Sequence, residues 1–231
     1  MDLDFTSTTI DRGEFKSQLT SVLHSKNYYG ISFRINDEWG GSDDSYGAVI
    51  GYSHKWNSNT FNIEVSFREK PTLPVVEFPI LAEVYFRYCQ FESFGVPCLQ
   101  KVEVLAEKIR ASFQRLRGRD LFDLYLFAAT PGSYDKSKVR SLAVIKCWNS
   151  KDPFDPNWLM AKISKEKYDW NDLQRLVRSN MLAPQKKVIG TVLSHYKYLT
   201  NLDRDLERIV ADSKSHRDSA FVAGLAQQLA N

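Results

Sequence analysis

Asp2 and Asp4 stand with one residue between them in the opening segment MDLDF, which alternates as a strand does. Alternation sends both carboxylates to one face and Leu3 and Phe5 to the other. Two acids at that spacing can reach one hard cation such as Mg2+, which takes oxygen ligands in octahedral geometry. Glu64 lies on the polar face of a further candidate strand, residues 60–68. There Phe61, Ile63, Val65 and Phe67 alternate with Asn62, Glu64, Ser66 and Arg68. If the two strands pair, three carboxylates converge. Such a trio can hold two metals about 3.5–4 Å apart, the clamp that serves in-line phosphoryl displacement. A plainer reading stands beside it. A DxD near a terminus is commonly a solvated acid pair, and alternate polar residues are expected on a half-buried strand.

A second concentration of ionisable groups fills residues 102–126, VEVLAEKIRASFQRLRGRDLFDLYL. It reads as two helices joined by a basic turn. Lys108 shares a stripe with Val104 and Ala111, and as a compact point charge it could meet a triphosphate. It could equally lay its stem over the core and keep its ammonium in water. Arg119, Asp120 and Asp123 open the second helix. Asp120 reads as an N-cap and Asp123 as an acid favoured by the helix dipole, with the arginines of the turn as partners. Lys108, Arg110, Arg115, Arg117 and Arg119 make a basic stretch of the kind a nucleotide or nucleic acid requires. Salt bridges to Glu103 and Glu107 would account for it as well. Trp39, Tyr52 and Trp56 could stack on bases or pack across strands.

These groups need a scaffold, and the rest of the chain supplies one. Asp11 is placed to cap a helix over 12–26 with Phe15, Leu19, Val22 and Leu23 as its stripe. Strands are expected at 28–35, 48–54 and 60–68, with a turn-rich loop over 36–46. Pro71 and Pro74 interrupt the pattern, leaving shorter strands at 75–78 and 82–91. Helices then follow at about 136–148, 158–163, 169–179, 185–200, 202–213 and 217–229, with Asp169 and Asp203 as caps. The organisation is α+β: a small mixed sheet with one helix over 1–100, then a helical part over 101–231. The connection falls at 94–100, beside Gly95 and Pro97.

Length and composition bound the possibilities. A chain of 231 residues with 43% hydrophobic content can bury a real core, so disorder is excluded. With 31 basic and 28 acidic residues the net charge is only +3, so a basic surface would have to be local. Cys89, Cys98 and Cys147 form no CxxC pair, as expected of buried thiols in a reducing cytoplasm. His24, His54, His195 and His216 lack zinc-ligand spacing. No apolar run approaches the ~20 residues that span a bilayer, so no membrane association is expected.

Residues 105–127, LAEKIRASFQRLRGRDLFDLYLF, resemble the signature of the AbiEii-type nucleotidyltransferase toxins. That signature is an EKxxA helix followed by an Arg and R-D-[LF]-[YF]-D-L. MDLDF is similar to the family's S-x-D-[IL]-D-F strand, FNIEVSFRE at 61–69 to the strand before its central helix, and YDWNDL at 168–173 to an element of its helical half. The resemblance implies a polymerase-β-like fold and a cytoplasmic enzyme that transfers nucleotides from an NTP to an RNA acceptor, tRNA in some members. Such proteins act as toxins in type IV toxin–antitoxin or abortive-infection systems, opposite a cognate antitoxin. It implies Asp2 and Asp4 as Mg2+ ligands with Glu64 as third acid, and Lys108, with Arg119, on the nucleotide phosphates. It implies catalytic assistance from Asp123 and Asp120. The family also carries a Gly-Gly or Gly-Ser turn upstream of its DxD, which cradles the triphosphate through backbone N–H groups. Here the DxD starts at the second residue, and Gly40-Gly41 lies in a later loop. The expectation is therefore either a start assigned too far downstream or a shortened N-terminal domain. A non-catalytic remnant or binding module of the same fold stands as the alternative function.

Overall fold

Leu3, Phe5, Ile63 and Val65 are the apolar half of two alternating segments, and one sheet face gathers them. Strand β1 (Asp2–Thr6) runs parallel to β5 (Asn57–Ser66), pairing Leu3 with Ile63 and Phe5 with Val65. The computed structural model describes residues 2–68, 70–80, 94–130, 132, 134–152, 154–212 and 217–231. The chain divides into two compact units, Met1–Pro71 and Thr72–Asn231. The division precedes the connection expected at 94–100. Glu103 accounts for this: its carboxylate accepts hydrogen bonds from the backbone N–H groups of Thr72 and Leu73, at 2.7 and 2.8 Å.

In the first unit, helix α1 (Arg12–Leu23) follows β1, and Asp11 caps it by accepting from the Glu14 N–H at 2.9 Å. Three antiparallel strands then lead to β5: β2 (Lys26–Tyr28), β3 (Ile31–Trp39) and β4 (Ser45–His54). The sheet order is β1-β5-β4-β3-β2, mixed because only the β1–β5 pair is parallel. Phe15, Leu19 and Leu23 of α1 pack on Tyr46, Ala48, Ile50, Ile63 and Val65, and these form the core of the unit. The opposite face of the sheet carries the polar residues.

Two local departures from the sequence reading have backbone causes. The strand expected at 28–35 is broken by a two-residue turn, Tyr29-Gly30, with φ of 53° and 82°. Positive φ at both positions is the hairpin geometry that matches strand twist. The loop expected over 36–46 shrinks, because β3 continues to Trp39 through a bulge between Ile35 and Asp37. One extra residue is absorbed there without ending the ladder.

The second unit opens with an antiparallel pair, β6 (Val76–Pro79) and β7 (Gly95–Cys98). The strand expected at 82–91, with Cys89, lies outside the described residues, as does His216. Helices follow: α2 (Lys101–Gln114), α3 (Gly118–Ala129), α4 (Lys136–Asn149), α5 (Pro156–Lys165), α6 (Asn171–Leu176), α7 (Gln185–His195), α8 (Arg204–Asp212) and α9 (Ser219–Ala230). The helix expected at 185–200 ends at His195 and tightens into a 3-10 turn, Tyr196–Thr200. Leu105, Ile109, Leu121, Leu124, Leu142, Ile145, Leu159 and Ile163 are fully buried and form the centre of its core. Each such Leu or Ile contributes about 2–5 kcal/mol against truncation to Ala. Among the described residues, no helix is long and apolar enough to cross a membrane.

Candidate active site

The parallel register of β1 and β5 makes Asp4 the partner of Glu64, and Asp2 the partner of Asn62. Partnered residues of adjacent strands share a face about 4.8 Å apart. Asp4 and Glu64 are both exposed on the face opposite α1. They line a hollow of about 420 Å³ together with Thr6, Trp39, Ser45, Ser66 and Arg68. Two adjacent carboxylates among hydroxyl groups form an all-oxygen donor set, which fits a hard divalent cation. Among the described residues no three acidic, imidazole or thiol groups assemble as a metal site. Asp2 is placed by its backbone in β1.

Arg68 adds a cation to the rim of the hollow. The sequence places it on the polar face of the strand expected at 60–68 without giving it a role, and in the structure it lies two residues past the end of β5. Trp39 also enters the hollow, which the sequence did not disclose. Its facing depends on the β3 bulge.

In the helical unit, Lys108 of α2 and Asp123 of α3 meet, with Nζ and Oδ2 2.6 Å apart and each side chain 35% exposed. The structure brings together these two residues and leaves the pair open to solvent. At that exposure the pair contributes little to stability, about 0–1 kcal/mol. Its consequence is positional: the ammonium is held at one place on α2 rather than ranging over its rotamers.

Asp120 has a different setting. It is 1% exposed, and both its oxygens accept from Arg115, Nε to Oδ2 at 2.6 Å and Nη2 to Oδ1 at 2.8 Å. Asp120 raises the pKa of Arg115 through these bonds. It makes no N-cap: α3 begins at Gly118 after Arg117, without a side-chain cap. The expected cap is replaced because the Arg115 fork takes the whole carboxylate. Asp120 therefore closes the α2–α3 turn. Arg119 is half-buried in the first turn of α3 and has no carboxylate within ion-pair distance among the described residues.

A buried network lies behind Lys108. Lys146 of α4 reaches Glu103 at 2.8 Å and Glu107 at 2.7 Å, and Arg110 holds Glu107 at 2.6 Å. Burial opposes the charge of Lys146, but Glu107 and Glu103 outweigh it and hold its pKa above the usual lysine value. Burial likewise opposes the charge of Glu107, and Lys146 and Arg110 prevail, so its pKa is lowered. Sequence reading assigned Glu103 to the basic turn and missed Lys146. The available signal was a lysine inside the apolar run LAVIKCW.

The turn is also tied to the later YDWNDL segment. The Gly118 N–H donates to the Asp169 carbonyl at 2.7 Å, and the Asp169 N–H donates to the Leu116 carbonyl at 3.1 Å. A Cβ on Gly118 would lie 2.7 Å from the Trp170 ring and 2.8 Å from the Asp169 carbonyl. The glycine is there for close approach. Two motifs distant in sequence are thus one structural unit around the Lys108–Asp123 helices.

A family model described as "Nucleotidyl transferase AbiEii toxin, Type IV TA system" matches residues 1–214. A comparison with the curated proteins finds no match. Among solved structures, MenT4, a nucleotidyltransferase toxin from Mycobacterium tuberculosis H37Rv, has a similar fold. Its TM-score is 0.71 at 19% identity, over 100% of this chain and 77% of that one. JHP933 from Helicobacter pylori matches with a TM-score of 0.48 at 17% identity, over 90% of this chain and 77% of that one.

Proposed function

We infer, because the chain belongs to the AbiEii nucleotidyltransferase toxin family of type IV toxin–antitoxin systems, that it transfers a nucleotide from an NTP to an RNA acceptor, tRNA foremost. The observation that carries the reading is the β1–β5 register, which sets Asp4 beside Glu64 on an open, polar face. Asp4 and Glu64 would hold Mg2+, with Asp2 as the further ligand. The bound cation supplies charge neutralisation at the α-phosphate. An acceptor hydroxyl attacks that phosphorus. A new P–O bond forms, the bond between the α-phosphorus and the oxygen bridging to the β-phosphate breaks, pyrophosphate leaves, and the hydroxyl proton passes to water. Lys108 presents its ammonium to the phosphates, and Asp123 orients Lys108. Arg119 is a second phosphate contact, with no carboxylate at ion-pair distance among the described residues. Asp120 acts through Arg115 as a positioning residue. The partners on this reading are the NTP, the RNA acceptor and a cognate antitoxin, and the setting is cytoplasmic.

The test is label transfer. The full chain is incubated with each labelled NTP, Mg2+ and total RNA, beside the Asp4→Asn and Lys108→Ala variants. Label enters RNA with the wild type, and each variant lowers the rate about a hundredfold or more, as loss of one preorganised charge does. Absence of label in RNA with every NTP overturns the reading.

A further inference from the structure

Trp39 is misplaced for a core residue. It belongs to neither apolar core, and it lies on the polar face of the sheet. The register runs Asp4–Glu64–Gly47–Trp39 across four strands, so these residues share one row on one face. The bulge is the cause. Phe33 and Ile35 pair with Tyr52 and Ile50 on the α1 face. Without the extra residue, Trp39 would fall on that face too. The bulge shifts the alternation by one, and Trp39 pairs with Gly47 instead.

Gly47 completes the arrangement. A Cβ there would lie 2.1, 2.3 and 2.5 Å from Cε2, Nε1 and Cζ2 of the indole. Three ring atoms at such distances mean that the ring lies down on the β4 backbone. One of its faces rests on Gly47, and the ring is turned toward Glu64, one strand further on. Trp39 remains 39% exposed, and among the described residues no other aromatic ring stacks on it.

The strand end that carries it is fixed from the other side. Glu38 accepts from Tyr46 Oη at 2.7 Å and pairs with Lys16 of α1 at 2.5 Å. Arg12 donates to the Gly40 carbonyl at 2.8 Å. The ring is therefore a flat apolar platform on an anchored element, in the hollow that holds the two carboxylates.

We propose that the Trp39 indole is a stacking platform for a nucleobase, that of the incoming nucleotide or of the RNA acceptor, beside the Asp4–Glu64 carboxylates. The proposal rests on the nucleotidyl-transfer reading and deepens it. A nucleotide with its phosphates at the carboxylates would extend its base along the row toward the indole. Stacking tolerates any base, because every base presents a π-face. The platform binds bases as a class and does not choose among them.

Equilibrium binding by the full chain tests it, in Mg2+, with ATP, CTP, inorganic tripolyphosphate and a short single-stranded RNA. The proteins are wild type, Trp39→Ala, Trp39→Phe and Trp56→Ala. Trp39→Ala weakens binding of the base-carrying ligand about tenfold or more, the usual effect of losing one aromatic stack. Tripolyphosphate binding stays unchanged, Trp39→Phe restores part of the loss, and Trp56→Ala, whose ring is 81% exposed in the β4–β5 turn, changes nothing. A loss for both NTPs assigns the incoming base, and a loss for RNA alone assigns the acceptor base. Equal loss for tripolyphosphate overturns the proposal, since the indole would then only shape the sheet. Unchanged binding of every base-carrying ligand overturns it as well, as does a wild type that binds none of them. Label transfer by the same proteins separates the two readings. A wild type that transfers label, beside a Trp39→Ala variant with unaltered KM for both substrates, removes the platform alone. A wild type that transfers nothing removes the transfer reading, and the binding arms still decide the platform.

Discussion

Lys146 is a cation with a side chain only 3% exposed, and two carboxylates meet it. Replacing one member of such a cluster leaves an uncompensated buried charge, which costs about 3–5 kcal/mol. Lys146→Met should lose that much stability in denaturant titration at neutral pH. The pH dependence distinguishes this from loss of packing. Glu107 has a lowered pKa when folded, so its contribution is present above its unfolded value, near 4.3, and is lost as pH falls through the folded value. Lys146 has a raised pKa, so its contribution is present below its unfolded value, near 10.4, and is lost as pH rises through the folded value. The wild-type advantage over Lys146→Met should be greatest between those limits and shrink in acid, where the stranded Glu107 carboxylate protonates. A difference that is flat down to acid pH would count against the network. At this scale the sequence anticipated some partners, a turn arginine for Asp120 and a salt bridge to Glu107, but not those of Lys146. Glu103 and Lys146 lie on different helices, and only packing decides that α4 rather than the basic turn supplies the cation. The sequence singled out Lys108 and Asp123 on their own helices, but it offered Asp123 the arginines of the turn as partners, and the structure gives it Lys108 instead.

The α2–α3 turn is an element whose form depends on a segment far along the chain. Gly118 yields its place to the Asp169–Trp170 backbone, and the Arg115–Asp120 fork closes the turn beside it. Gly118→Ala should therefore destabilise, although alanine is the better helix former by about 1 kcal/mol. The backbone carbonyl of Asp169 cannot rotate away as a side-chain tip can, and overpacking of this kind costs about 1–3 kcal/mol. Gly190 is the control. It is an exposed glycine within α7, and a Cβ there meets nothing within 4 Å. Gly190→Ala should stabilise by about 0.4–1 kcal/mol. Thermal melts of the two variants should shift in opposite directions, and a shift of the same sign in both would refute the close-contact argument. Elements with strong periodicity, such as α1 with its Asp11 cap, α2 and β5, were legible in the sequence. The Asp120 cap and the 36–46 loop were misread for different reasons. Arg115, five residues back in the same turn, takes Asp120, a pairing the sequence had also offered, while the bulge keeps β3 paired through residues of turn-like composition.

Across the whole molecule, 31 basic and 28 acidic residues leave a net charge of +3, too little to attract a polyanion without local concentration. The place of concentration is smaller than the sequence suggests. Of the five cations in residues 108–119, Lys108 pairs with Asp123, Arg110 with Glu107 and Arg115 with Asp120. Arg117 and Arg119 are left without a carboxylate at ion-pair distance among the described residues. The convergence of Asp4 with Glu64 could be argued from alternation alone, but only the sheet order reveals that β1 pairs with β5. The surplus charge of the turn required the opposite step, a subtraction that needs coordinates. Its consequence is measurable. Each phosphate neutralised on a single-stranded acceptor contributes about −0.7 to the slope of log K against log salt. Replacing both Arg117 and Arg119 by alanine should flatten the slope for RNA binding by about 1.4. Arg110→Ala should leave it unchanged, since that guanidinium already holds Glu107. The chain-wide charge predicts a shallow slope for the wild type too, so two contacts form a large share of it. If the double variant keeps the wild-type slope, RNA does not approach over this turn, and the proposed acceptor would have to lie elsewhere, as along the polar sheet face that carries Asp4 and Glu64.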